Sequence, residues 1–369
     1  MTTRPVHDEL VVAVAAYGLR GSRTSLPDTP LDAPTWERLI DRVRSERLAG
    51  HLVDAVMDGA LPVTREQRQE AVELHTTQLW WSLLLDRRLL ATASALQEAS
   101  IDYRVLKGTA VAHTVYPEPS LRLFGDVDLL VRAPQFDQAA AVLVSLGARR
   151  SAPALRAGFD RRFGKGAGFV FEDQLEVDLH RTLVLGYFGL LVDVDALFDH
   201  PATFRIGGRD LPALRLEERF LNACYHAVLG HHGRLVSCRD VAQFVLETPL
   251  DMERALAVAR RWSGEAVVAR AVHAAWETFD LADVVPLSVW ASRYQPTRHE
   301  ERAMHGYIGS RRSEAVRALV AVRAVGGLRG KATFLRSLVL ADRAYLDWTG
   351  QGRLAWLRRG RRALHRARP

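Results

Sequence analysis

The chain has 369 residues, 48% hydrophobic and 25% charged, a balance that excludes a disordered, fibrous or membrane-spanning protein and allows one large or two ordinary domains. Two cysteines cannot build a disulfide framework, and no apolar run reaches the ~18 residues needed to cross a bilayer. The formal charge of +7 suggests an anionic partner such as RNA, but among 50 basic residues the lysines are Lys107, Lys165 and Lys331, so an arginine-rich composition accounts for much of it.

The apolar stretch from Leu10 to Leu19 follows Asp8 and Glu9, where a secretory signal would carry positive charge, and reads as an amphipathic helix of a cytoplasmic protein. Residues 1–100 keep a helical rhythm. Thr35 is the expected N-cap of one helix, and Thr64 with Gln67 has the capping-box spacing that opens a long one. Trp80, Trp81, Leu83, Leu84, Leu89 and Leu90 are expected in the core, and no chemistry is visible in this region.

At Ile101 the pattern changes to short apolar runs. Residues 103–106 read as a strand, 108–115 as a short helix, 127–131 as a second strand and 134–146 as a helix stopped by Gly147. Residues 168–171 and 175–180 read as a hairpin whose second strand alternates strictly, and a further hairpin is expected around Gly207 and Gly208. From Leu216 the helical rhythm returns, interrupted at Pro249, Pro286 and Gly326. The expected class is α+β: a central core at 101–215 between a helical N-terminal region, 1–100, and a helical C-terminal domain, 216–369, with a basic tail.

The chemistry concentrates between Leu106 and Val131. A strand that runs through Lys107, Gly108 and Thr109 into a helix offers free backbone N–H groups, a hydroxyl and the positive end of a helix dipole, which suits a phosphate. Asp126 and Asp128 stand two apart at a strand start, so both carboxylates point to one face and can hold a hard divalent cation; solvated acids at a strand entrance give the same pattern. In the later strand, Glu176, Asp178 and His180 share one face and Leu175, Val177 and Leu179 the other, so the polar face meets either a cleft or solvent.

The order of Leu106-Lys-Gly108, Tyr116-Pro117, Arg122, Asp126-Val-Asp-Leu-Leu-Val131 and Val177-Asp-Leu-His180 resembles the nucleotidyltransferase superfamily that includes DNA polymerase β and the aminoglycoside nucleotidyltransferases. It is more closely similar to a bacterial family described as uncharacterised nucleotidyltransferases. The resemblance covers about residues 105–180, with a softer echo to Asp240. It departs from the wider pattern in two places: Thr109 and Gly125 stand where serine is common.

The resemblance implies a nucleotidyltransferase-type mixed sheet flanked by helices, and Mg2+ or Mn2+ bound with a nucleoside triphosphate (NTP) donor. It implies that Gly108 and Thr109 contact phosphates, that Asp126 and Asp128 bridge the metals and that Asp178 supplies the third carboxylate, with Glu176 in reserve. Lys107 and Arg122 are the expected cationic supplements, Lys165 a further one, and His180 a contact beside the metals. His226 and Asp240 are expected to face the cleft from the C-terminal helices. The acceptor would be a hydroxyl or phosphate of a small molecule or peptide, with RNA the acceptor that the charge suggests. The alternatives are glycosyl or phosphoryl transfer from a nucleotide-activated donor, or a noncatalytic nucleotide- or RNA-binding protein.

Three further patterns carry less. The run from Gly164 to Gly168 lacks the Gly-Lys-Ser/Thr ending of a phosphate loop and reads as a flexible approach to a strand. Cys224, His226, His231, His232 and Cys238 do not follow zinc spacings, and the cysteines are expected in helix cores. The tail carries Arg353, Arg358, Arg359, Arg361, Arg362, Arg366 and Arg368 with Leu354, Trp356, Leu357 and Leu364 as an apolar face; packing on the protein is the expectation, peripheral membrane contact the alternative.

Overall fold

The structure is a computed structural model that describes residues 8–230, 234–282, 285–308, 314–356 and 358. The N-terminal region supplies α1 (Glu9–Ala16), α2 (Ala33–Glu46), α3 (Ala49–Met57) and the 34-residue α4 (Arg65–Glu98). Helix α2 is capped by Asp32 rather than Thr35: the Asp32 carboxylate accepts the Thr35 N–H at 2.8 Å, and Pro34 fits the first turn, where its missing N–H costs nothing. Thr64 and Gln67 do form the capping box of α4.

The centre contains β1 (Tyr103–Val105), α5 (Lys107–Val115), β2 (Val127–Val131), α6 (Phe136–Ser145), β3 (Arg149–Arg150), α7 (Phe159–Arg162), β4 (Gly166–Val170), β5 (Glu176–His180), α8 (Tyr187–Leu191), α9 (Ala196–Asp199), β6 (Ala202–Ile206) and β7 (Arg209–Ala213). These strands make one mixed sheet in the order β3-β4-β5-β2-β1-β7-β6. At its middle β2 runs antiparallel to β1 and parallel to β5, in a register that sets Asp128 opposite Asp178 and Leu130 opposite His180.

Alternation gives the sheet two unlike faces. Val127, Leu129, Val177, Leu179 and Phe169 pack on α4 and α6 with Leu85, Leu89, Phe136 and Leu143, and each such side chain stabilises the fold by roughly 1.5–3 kcal/mol. Only one stripe of α4 is used. Leu85, Leu89, Ala93 and Leu96 are fully buried, whereas Trp80, Trp81 and Leu83 are 63%, 36% and 51% exposed, against the expectation that they belong to the core. A straight helix on a sheet buries a single stripe, and these three residues lie off it.

The other face of the sheet carries the polar residues and looks toward the C-terminal helices. These are α10 (Leu216–Leu229), α11 (Leu235–Glu247), α12 (Met252–Arg261), α13 (Glu265–Thr278), α14 (Pro286–Arg293), α15 (Arg298–His305), α16 (Glu314–Ala324), α17 (Gly327–Val339) and α18 (Arg343–Trp348). A continuous apolar cluster joins Val14 and Leu52 of the first helices to Leu106, Leu130, Phe220, Phe244 and Tyr307. Cys224 and Cys238 are buried free thiols in this layer, and His231 and His232 lie outside the described residues. Trp356 donates its indole N–H to the Leu338 carbonyl at 2.9 Å, so the described part of the tail packs on α17; Leu354 is exposed, the Leu357 side chain and residues 359–369 lie outside the described residues. Among the described residues no helix is long and apolar enough to cross a membrane.

Candidate active site

The parallel pairing of β2 with β5 brings the separated acids together. Ligand atoms of Asp128, Asp178 and His180 lie within 4.8 Å of one another, with His180 Nε2 2.7 Å from Asp128 Oδ1 and 4.0 Å from Asp178 Oδ2. Asp128 and His180 are buried and Asp178 is half-buried, so the cluster opens on the Asp178 side. Asp126 precedes the first laddered residue of β2, Val127, and is not one of these three. It is near enough that the charge of Asp128, and then burial, raise its carboxyl above the ordinary value.

The acids are balanced by one cation at the start of α5 and another just before β4. Lys107, just past β1, places Nζ 2.8 Å from Asp128 Oδ1. Burial pushes the Asp128 carboxyl up, but Lys107 and the His180 hydrogen bond outweigh it and hold the group well below the usual carboxylate range. Burial opposes the charge on Lys107 too, and there the attraction of Asp128 and Asp126 prevails and raises its pKa. Lys165, at the entrance to β4, feels Asp128, Asp178 and Asp126 as well, yet burial and repulsion from Lys107 leave its ammonium below the ordinary lysine value.

His180 carries a mark of its own. Nε2 faces Asp128 Oδ1, and Nδ1 faces the Thr182 carbonyl at 3.3 Å. Both partners are acceptors, whereas a neutral imidazole has one hydrogen to give, and burial and the charge of Lys165 keep this ring below its ordinary pKa. A cation at Nε2 removes the conflict, since Nδ1–H then donates to Thr182, the usual support of a metal-bound histidine. Two carboxylates and one imidazole are a donor set for a divalent cation such as Mg2+ or Mn2+.

The run from Gly164 to Gly168 is no flexible approach. Its second half is β4 itself, with Gly166 paired to His180 and Gly168 to Asp178. A Cβ at Gly168 would overlap Glu176 Oε1 and Ser151 Oγ, and one at Gly166 the Leu179 carbonyl. Alternate glycines therefore leave the polar face clear beside Asp178 and His180, while Phe169 fills the core below. Glu176 lies on the same side as Asp178, and burial followed by that neighbour's charge raises its pKa.

Gly108 takes φ +38° at the start of α5, a left-handed value that favours glycine. Thr109 is buried behind it, and its hydroxyl has no hydrogen-bond partner among the described residues. An orphaned donor at a helix start beside Lys107 fits a phosphate oxygen.

Arg122 and Asp240 are brought to each other. Arg122 Nε and Nη2 donate to the two Asp240 carboxylate oxygens at 2.6 and 2.7 Å, and the Tyr116 hydroxyl donates to Oδ1 at 2.9 Å. All three are buried, so the pair ties the loop before β2 to α11. His226 shares a small closed pocket with Lys107, Asn222 and Asp240. Burial, then Lys107, drives its imidazole well below the ordinary pKa.

One site residue was not visible in the sequence. Arg47, at the end of α2, lays its guanidinium on Gly125, where a Cβ would overlap Nη2 and Cζ. Burial lowers its pKa, and the charges of Asp126 and Asp128 act in the opposite direction. No side-chain hydrogen bond or ion pair within 4.0 Å holds it among the described residues, and its only advance signal was a basic residue ending a helix some 80 positions away.

The profile of the family described as uncharacterised nucleotidyltransferase matches residues 32–280. Solved structures similar to this chain include the lincomycin-bound lincosamide antibiotic adenylyltransferase LnuA, 13% identical, covering 43% of this chain and 94% of its own, with a TM-score of 0.30. The antibiotic-resistance factor ANT(2'')-Ia is 15% identical over 54% of this chain and 98% of its own, with a TM-score of 0.35. An antigenic nucleotidyltransferase-like protein from Paracoccidioides brasiliensis is 14% identical over 57% of this chain and 95% of its own, with a TM-score of 0.30. No curated protein matches. With the family profile spanning well over half of its length, this chain belongs to the uncharacterised nucleotidyltransferase family and is an enzyme of nucleotidyl transfer.

Proposed function

We propose that the protein moves a nucleoside monophosphate from an NTP to a hydroxyl or phosphate of a small molecule or peptide, with Mg2+ or Mn2+ held by Asp128, Asp178 and His180 and with Asp126 beside them. The observation that carries this reading is the β2–β5 register, which sets Asp178 against Asp128 from 50 residues away. When bound, the cation supplies charge neutralisation on phosphate oxygens. The imidazole makes Mn2+ the better-matched ion of the two.

The chain's own groups have separate tasks. Gly108 and Thr109 present the start of α5 and a free hydroxyl to phosphate oxygens. Lys107, Lys165 and Arg47 add positive charge around the acids, which favours a polyanionic donor and its leaving pyrophosphate. Asp126, whose pKa is raised, is the group placed to accept a proton from the attacking acceptor. Arg122 and Asp240 hold the loop and α11 together rather than touch the nucleotide.

The test is incubation of purified protein with each labelled NTP, Mn2+ or Mg2+, and a cell extract. Pyrophosphate release with a nucleotide-tagged product is expected, lost in Asp128→Asn and Asp178→Asn. NTP binding without turnover would overturn the catalytic reading.

A further inference from the structure

Beyond His180 the chain enters a second feature that the nucleotide reading does not use. A cleft of about 550 Å3 opens between α7, the residue after β5, α8 and the α16–α17 turn, a volume within the roughly 300–1,000 Å3 of ligand pockets. Arg162, Arg181 and Arg329 line it, with Phe163, Leu190 and Val325 as an apolar wall. Among the described residues no carboxylate pairs with any of the three arginines. Arg181 is half-buried, its Nε donates to the Gly164 carbonyl at 2.8 Å, and among the described residues no hydrogen bond engages its terminal nitrogens.

The cleft is built rather than incidental. Phe163 packs edge-on against Phe334 with ring centres 5.1 Å apart, in a small apolar cluster with Ala321 and Val325, so α17 is anchored to the segment before β4 through the cleft's own wall. The N-terminus of α17 forms part of the rim, starting at Gly327 with no side-chain cap. The cleft also adjoins the site. The Lys165 carbonyl accepts the N–H groups of Arg181 and Thr182 at 2.7 and 3.2 Å, so the backbone carrying Arg181 is tied to the residue whose ammonium faces the acids.

We propose that this cleft binds a phosphate monoester on a small apolar body and that this is the class of acceptor the enzyme modifies: an oxygen of its phosphate bonds to the α-phosphorus of the NTP as the α–β bridge breaks and pyrophosphate leaves. Guanidinium groups match phosphate oxygens in planar pairs of hydrogen bonds, three of them around one opening exceed what a single carboxylate requires, and the aromatic and aliphatic wall suits a ring or short chain beside the anion. The identity of the acceptor rests on the nucleotidyl-transfer reading; binding in the cleft does not.

Calorimetric titration with phenyl phosphate as the probe separates the two. Wild-type protein should bind it saturably, with and without saturating ATP and Mn2+. Arg162→Gln with Arg329→Gln should weaken binding tenfold or more while ATP binding is unchanged, and the exposed control Arg343→Gln should leave both titrations as they were. Absence of saturable binding, equal binding by the double variant, or displacement of phenyl phosphate by ATP would overturn the proposal; the last outcome would assign the arginines to the triphosphate. Protein that binds phenyl phosphate but never consumes an NTP keeps the cleft and loses the transfer reading, and turnover without phenyl phosphate binding does the reverse.

Discussion

Arg47 and Gly125 occupy the same place: the guanidinium lies where a side chain on residue 125 would begin. Serine is the common residue before the first acid in the wider pattern that this chain resembles. Its loss here makes room for a cation delivered by a helix of the N-terminal region. The glycine and the arginine fit one another, and the first hundred residues bring a cation near Asp126 and Asp128.

Substitution tests that coupling. Arg47→Gln removes the charge and Gly125→Ala displaces it, so each should lower kcat/KM for the NTP by about tenfold, on the order of 1.4 kcal/mol. Because both remove one interaction, the double variant should be no worse than Arg47→Gln alone. Additive losses in steady-state kinetics would show that the two residues act separately.

The buried pair of Arg122 and Asp240 predicts a loss of stability. Arg122→Ala or Asp240→Asn leaves an uncompensated group, at a cost of about 3–5 kcal/mol, whereas replacing both by apolar residues of similar size costs much less. Denaturant unfolding of the single and double variants measures this. Unchanged midpoints with weakened NTP binding would return Arg122 to the nucleotide.

Acid should destabilise the fold through histidine as well as carboxylates. His51 is buried with no hydrogen-bond partner on either ring nitrogen among the described residues, and burial, then the charges of Arg239 and Arg122, hold its pKa well below the ordinary value. The unfolded chain takes up a proton below about pH 6.5 that the folded chain refuses, so stability is full above that pH and falls below it, by about 1.4 kcal/mol per unit for each such group. His51→Leu should flatten the slope between pH 6 and 5 by about that amount. An unchanged slope in urea titrations would mean that His51 accepts its proton in the folded state.

Local signals were legible in the sequence because local physics decides them. The capping box of α4, the strands at Asp128 and Asp178 and the hairpin around Gly207 and Gly208 follow from alternation, caps and turn residues, and the motif order pointed to the family. The pairing of Arg122 with Asp240 depends on tertiary placement across 118 positions, and the same holds for Arg47 on Gly125. The alternate glycines of β4 were misread as flexible because glycine is ambiguous in isolation; only the neighbouring strand shows that they clear space for Asp178 and His180. Trp80, Trp81 and Leu83 were misplaced because they lie off the stripe of α4 that faces the sheet, although Ser82 and Leu85 beside them are buried.

The central claim is that Asp178 completes a cation site with Asp128 and His180. Mn2+ binding followed by electron paramagnetic resonance, in the presence of a non-hydrolysable NTP analogue, tests it most directly. Wild-type protein should bind the ion, and Asp178→Asn and Asp128→Asn should each bind it at least tenfold more weakly and lose nucleotidyl transfer while melting cooperatively. Wild-type ion affinity and turnover in Asp178→Asn would contradict the account.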